Sequence, residues 1–234
     1  MVDLSLRISP KIYKIIVVGE KGVGKTKIID QFTLNTFIED YDALIWTDYR
    51  KQIVLDDRVA FLDVSDIITP TDAETEHYLR AGWEQQIRDA DAALLVYSIT
   101  SRESFVRVGA LRDAMLGVPA AVREGGGADE MGGVAHERVR ARPIQIVLVG
   151  NKSDWRVGRE VSAKEGAELV ESLGCSFVET SAKEGYNIDK AFHDLVRAVD
   201  AADKEAKVEQ GHMAVGGFRG RLGRLTRLLR LKKN

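Results

Sequence analysis

Six short strand-like runs recur along the chain: Ile12 to Val18, Tyr49 to Leu55, Val59 to Val64, Ala92 to Tyr97, Ile144 to Val149 and Phe177 to Glu179. Ala92 to Tyr97 is apolar throughout, and Ile12 to Val18 and Ile144 to Val149 are apolar but for Lys14 and Gln145, which is the pattern of strands covered on both faces. Between them lie helix-period stretches: Lys27 to Leu34, roughly Arg102 to Met115, and a long final helix capped by Asn187. Ser162 and Glu165 form a capping box that opens a helix running to Leu173, and a polar segment ending in a helix precedes Ala92. The predicted architecture is therefore an α/β domain with a six-stranded, mostly parallel sheet and helices on both faces. Only Asp56-Asp57-Arg58 separates the second run from the third, a hairpin signal that adds one antiparallel edge strand. In such sheets ligands bind at the carboxyl ends of the strands.

Three regions fall outside this pattern. Residues 1–10 read as an N-terminal extension, and residues 118–142, with Gly125-Gly126-Gly127 and Gly132-Gly133 among charges, as a flexible insertion. Residues 201–217 read as a polar linker, leaving 11–200 as the folded domain. The tail from Phe218 to Asn234 holds seven Lys/Arg and no acid, although the whole chain carries a net charge of −2. Phe218, Leu222, Leu225 and Leu229 share one face of a helical wheel there, giving a short basic amphipathic helix interrupted by Gly220 and Gly223. Such a run suits an anionic membrane surface, a nuclear address or RNA contact, or simple solvation. DNA binding is not expected.

A single cysteine, Cys175, excludes an intramolecular disulfide and any multi-cysteine metal site. It precedes a strand and reads as a small buried hydrophobe. His77, His136, His193 and His212 have no ligand spacing among themselves. With no signal-like or membrane-length apolar stretch, a cytoplasmic, monomeric protein is expected.

The segment Gly19-Glu20-Lys21-Gly22-Val23-Gly24-Lys25-Thr26 fits G-x-x-x-x-G-K-[ST] between a strand and a helix. A loop of this kind curls backbone N–H groups around phosphate oxygens, and the helix N-terminus adds positive potential. Lys25 would neutralise the β/γ oxygens, and the Thr26 hydroxyl would ligate Mg²⁺. Two further strings follow the later strands: Asn151-Lys152-Ser153-Asp154 and Ser181-Ala182-Lys183. A carboxylate can accept from both the ring N–H and the exocyclic amine of guanine, whereas adenine offers neither donor in that arrangement.

Together these motifs resemble the Ras family of small GTPases, over most of residues 11 to 200. Tyr49-Arg50-Lys51-Gln52, the run from Leu94 to Phe105 and the segment from Arg159 to Phe192 strengthen the likeness. The resemblance implies GTP/GDP and Mg²⁺ as ligands and a P-loop G domain as the fold. It implies that Asp154 reads guanine, that Asn151 and Lys152 brace the loops, and that Ser181, Ala182 and Lys183 border the base. By the same likeness Phe37 packs against the base, Lys27 adjoins the phosphate loop, and Asp66 holds Mg²⁺ through water. Lys25 and Asp66 would carry whatever catalysis there is.

The chain departs from the family at both segments that sense the nucleotide. An ungapped reading from Phe37 to Lys51 puts Leu44 where the family has a metal-ligating threonine, which weakens the Mg²⁺ site. Asp66-Ile67-Ile68-Thr69-Pro70 replaces the family glycine by Thr69 and its water-positioning glutamine by Pro70. Lys21 stands where the family has a small residue; its side chain is either solvated, in contact with phosphate, or in the way of an arginine finger. Leu44, Ile45 and Trp46 form a patch that either meets an effector or regulator or packs back onto the domain. The chain ends Leu231-Lys232-Lys233-Asn234 without a prenylation cysteine, so no lipid anchor is expected. The resulting expectation is a nucleotide-binding signalling protein with low intrinsic hydrolysis; the alternative is a non-enzymatic interaction scaffold.

Overall fold

A computed structural model describes residues 11–37, 49–69, 73–118 and 143–208. The elements run β1 (Lys11–Gly19), α1 (Lys25–Leu34), β2 (Tyr49–Leu55), β3 (Arg58–Asp66), α2 (Ala73–Asp89), β4 (Ala92–Ser98), α3 (Arg102–Gly117), β5 (Gln145–Asn151), α4 (Ala163–Leu173) and β6 (Ser176–Glu179). A final helix, α5, spans 188–208. The sheet order is β2-β3-β1-β4-β5-β6. All pairs are parallel except β2 with β3. The hairpin closes where expected, but the turn is only Asp56-Asp57, both in the left-handed region at φ 50° and 59°, the pair that suits strand twist. Arg58 already belongs to β3, paired with Leu55.

Strand side chains alternate between two cores. Tyr13, Ile15 and Val17 join Leu94, Val96 and Val149 on one face, under Ile28 and Phe32 of α1 and Phe192 and Leu195 of α5. Ile16, Val18, Leu95, Tyr97 and Leu148 take the other face with Ile87 of α2 and Val108, Leu111 and Met115 of α3. Every residue of β4 is buried, which explains its unbroken apolar sequence. The Phe32 and Phe192 rings stack with centroids 3.7 Å apart, joining the first helix to the last.

Two boundaries and one cap differ from the sequence reading. Helix α1 begins at Lys25, two residues early, because its polar first turn lies outside the apolar period. Helix α5 continues through 201–208, the first part of the stretch read as a linker; Ala, Lys and Glu there carry good helix propensity without an apolar stripe. Asn187 does precede α5, but at φ 55° its side-chain amide donates to the Glu179 carbonyl at 3.0 Å. The capping box of Ser162 and Glu165 forms as read. Residues 1–10, Leu44, Ile45, Trp46, Pro70, the glycine-rich stretch after Val118, and the tail from 209 onward lie outside the described residues. Among the described residues, no helix is long and apolar enough to cross a membrane.

Candidate functional site

The loops after β1, β5 and β6 meet at the carboxyl edge of the sheet, and each is shaped by contacts that glycine or a specific side chain permits. A Cβ on Gly19 would lie 2.2 Å from the Val96 carbonyl oxygen, so only glycine lets β1 end this close to β4. Gly24, at φ 98°, turns the chain into α1, and a Cβ there would meet the Asn151 side-chain nitrogen at 2.4 Å. The α1 N-terminus thus opens with Lys25 and Thr26 in its first turn, where backbone N–H groups lack helical partners.

Lys25 folds back over the loop, its Nζ donating to the carbonyls of Gly19 at 2.9 Å and Glu20 at 3.1 Å. Burial lowers its pKa, while the charges of Asp66 and Glu20 act in the opposite direction. The Thr26 hydroxyl donates to Asp66 Oδ2, joining α1 to the end of β3. Burial pushes the Asp66 carboxyl upward against the lowering effects of Thr26 and Lys25. This hydroxyl–carboxylate pair presents hard oxygen donors beside a lysine, a set that fits Mg²⁺ completed by phosphate and water oxygens.

At the other end of the site, Asn151 is 1% exposed and joins the end of β5 to the loops after β1 and β6. Its Nδ2 donates to the Val23 carbonyl at 2.9 Å, and its Oδ1 accepts from Thr180 Oγ1 at 3.1 Å and Ala182 N–H at 3.3 Å. Lys152, at φ 68°, extends its Nζ to the Gly22 carbonyl at 2.8 Å. The Ser181 hydroxyl donates to Asp154 Oδ1 at 2.6 Å and itself accepts the Glu184 N–H. Asp154 is therefore oriented by the loop after β6. Phe37 is half-buried against the core, with Lys27 Nζ 5.9 Å from its ring centroid. Lys21 and Lys183 are exposed, and Val23 is buried.

Four features of this site escaped the sequence reading. Glu20, inside the phosphate loop, has Oε1 3.0 Å from Arg107 Nε on α3, a charge contact without hydrogen-bond alignment. Asp30 on α1 is buried, which raises its pKa, opposed by Lys27 and a hydrogen bond with Tyr49. Thr180 supports Asn151, and the Thr69 hydroxyl reaches back to Gly19. All depend on partners from tens of residues away, which no local pattern signals. A separate cavity of about 510 Å³, lined by Lys14, Asp63, Gln86 and Asp89 among others, shares no residue with these loops. Cys175 is half-buried beside the core of α4, and burial raises its thiol pKa.

A mostly parallel α/β sheet whose first strand feeds a G-x-x-x-x-G-K-T loop into a helix, over a Thr–Asp pair, defines a P-loop nucleotide-binding domain. The Ras family model matches residues 14–121 and 133–201, its break falling inside the glycine-rich stretch. "Ras-like protein B" of Aspergillus fumigatus is 44% identical over 191 residues, covering 80% of this chain and 77% of that protein. "Ras-like protein 1" of Pyricularia oryzae is 39% identical over 198 residues, covering 84% and 78%. "Protein ras-2" of Neurospora crassa is 41% identical over 188 residues, covering 80% and 78%. The chain belongs to the Ras family of small, GTP-binding proteins.

Proposed function

We propose that this protein binds GDP and GTP in the crevice between the Gly19–Thr26 loop and Asp154, and hydrolyses GTP very slowly. The observation that carries the reading is Asp154, whose carboxylate is held by Ser181 at 2.6 Å beside loops locked together by Asn151. A pre-oriented acceptor pair selects guanine because adenine would leave it unpaired. The phosphate end supplies Lys25 for the β/γ oxygens and the first turn of α1 for backbone donors. Thr26 and, through water, Asp66 would hold Mg²⁺, which neutralises phosphate charge when bound. The site is weakened by Leu44, whose side chain offers no oxygen.

The hydrolytic parts are the ones replaced. Pro70 has no group to orient an attacking water, and losing water positioning together with an arginine-finger contact costs several powers of ten in rate. The effector and regulator surface is assigned to the switch segments, with Leu44, Ile45 and Trp46 as its apolar patch. The basic run 218–234 is assigned to an anionic membrane surface, placing the protein at the inner face of a membrane. Co-sedimentation with anionic vesicles, lost on truncation at Gly217, supports that assignment; equal binding by both forms opposes it.

A second reading, a non-enzymatic scaffold that holds nucleotide constitutively, is favoured by Leu44, Thr69 and Pro70 standing where the family has threonine, glycine and glutamine. Similar GDP and GTP affinities, insensitive to Mg²⁺, would select it. The central test is Asp154→Asn, which turns a donor toward the guanine N–H groups. It should weaken GDP binding by about 100-fold or more. Protein that takes ATP as readily as GTP would overturn the assignment, and single-turnover hydrolysis at an ordinary Ras rate would overturn the slow-turnover part alone.

A further inference from the structure

The residues just past β3 lie alongside the end of β1. Asp66 pairs with Val17, and the next N–H, from Ile67, donates to the Val17 carbonyl at 3.4 Å. Ile68 then turns outward at 51% exposure, and Thr69 turns inward at 6%. The Thr69 hydroxyl donates to the Gly19 carbonyl at 3.0 Å, and the Gly19 N–H points to the same hydroxyl oxygen at 3.4 Å. A side chain thus extends the β1–β3 contact beyond the ladder and onto the first residue of the phosphate loop.

The Gly19 carbonyl also accepts from Lys25 Nζ. One oxygen therefore gathers the loop lysine and the second switch segment, using both of its lone pairs. Gly19 has no room to yield toward β4, since its Cβ position is already filled by the Val96 carbonyl. The pin is consequently fixed on the loop side, and only the Thr69 side can let go.

We propose that Thr69 is a specificity residue that favours the nucleoside diphosphate over the triphosphate, by holding the second switch segment on the phosphate loop. This deepens the reading of the site as a guanine-nucleotide pocket and rests on it. A terminal phosphate adds bulk and charge next to Lys25, and the segment pinned there moves only by giving up the Thr69 contacts. A diphosphate makes no such demand. The difference between the two ligands is the free energy of those contacts, and a ligand shifts a conformational balance only through such a difference. A glycine at the same position would have no side-chain contact to lose.

The test measures affinities for GDP and for a non-hydrolysable GTP analogue, with Mg²⁺, on the full chain. Thr69→Val keeps the shape and removes the hydroxyl, Thr69→Ser keeps the hydroxyl, and Thr69→Gly removes the side chain. The wild type and Thr69→Ser are expected to prefer GDP. Thr69→Val and Thr69→Gly should shift the ratio toward the triphosphate by about fivefold to tenfold, the weight of one buried hydrogen bond. If Thr69→Val fails to fold, Thr69→Gly carries the comparison. Wild-type protein that binds both nucleotides, with a ratio unmoved by Thr69→Val or Thr69→Gly, overturns the latch and leaves the pocket standing. Wild-type protein that binds neither overturns both.

Discussion

Replacing Asn151 by alanine removes one side chain and with it three of the contacts that join the loops after β1, β5 and β6. Its amide serves the Val23 carbonyl, the Thr180 hydroxyl and the Ala182 N–H, on residues that are 2%, 0% and 4% exposed. None of those groups has an easy route to bulk water. An unsatisfied buried polar group costs about 1–3 kcal/mol, so three at the lower end sum to about 3 kcal/mol. For a domain of this size, about 2–4 °C per kcal/mol converts that to a fall in melting temperature of roughly 6–12 °C. The measurement is thermal or urea unfolding of nucleotide-free protein, which isolates the loop contacts from any loss of ligand. Asn151→Asp sharpens the comparison: it keeps the acceptor for Thr180 and Ala182 but aims a carboxylate at the Val23 carbonyl, so it should not rescue. An alanine variant that unfolds within about 0.5 kcal/mol of wild type, the range of an ordinary surface change, would refute the idea that Asn151 holds the site together.

Two further outcomes follow from the geometry. Gly24→Ala forces a left-handed backbone on alanine, about 1–3 kcal/mol, and drives its Cβ into Asn151; calorimetry should show a smaller penalty in the Asn151→Ala background, where that contact is gone. Glu165 has its pKa held down to about 2 by Arg102 first, then by the Ser162 backbone and hydroxyl, against an ordinary value of 4.5. The depressed folded-state value means its contribution is present above pH 4.5 and disappears as pH falls toward 2. Glu165→Gln should therefore melt below wild type at pH 7 and low salt, with the gap closing across that acid window. A gap independent of pH would refute the ionic origin.

The parts of the fold written in local pattern were legible: the apolar run of β4, the Asp56-Asp57 turn, the Ser162–Glu165 box and the Gly19–Thr26 loop each announce themselves within a few residues. Asn151, Lys152 and Asp154 could be placed because a buried strand delivers them to the same edge as the phosphate loop. What stayed hidden was pairing across the chain. Nothing near Thr69 in sequence indicates that its hydroxyl meets Gly19, fifty positions earlier, and nothing near Glu20 points to Arg107. Asp30 looks like one more polar residue on a helix until Tyr49 from the hairpin closes over it. The continuation of α5 to residue 208 was missed for the opposite reason, since propensity sustains those turns where apolar periodicity has ended.

Lys11, the first residue of β1, is tied at 2.7 Å to both Asp200 and Asp203 near the end of α5. The described chain therefore enters and departs along a single rim, and nine residues of strand separate that rim from Gly19, roughly 26 Å at strand rise. A label placed on Lys11 or Asp203 would therefore sit at the far end of β1 from Gly19 and the phosphate loop.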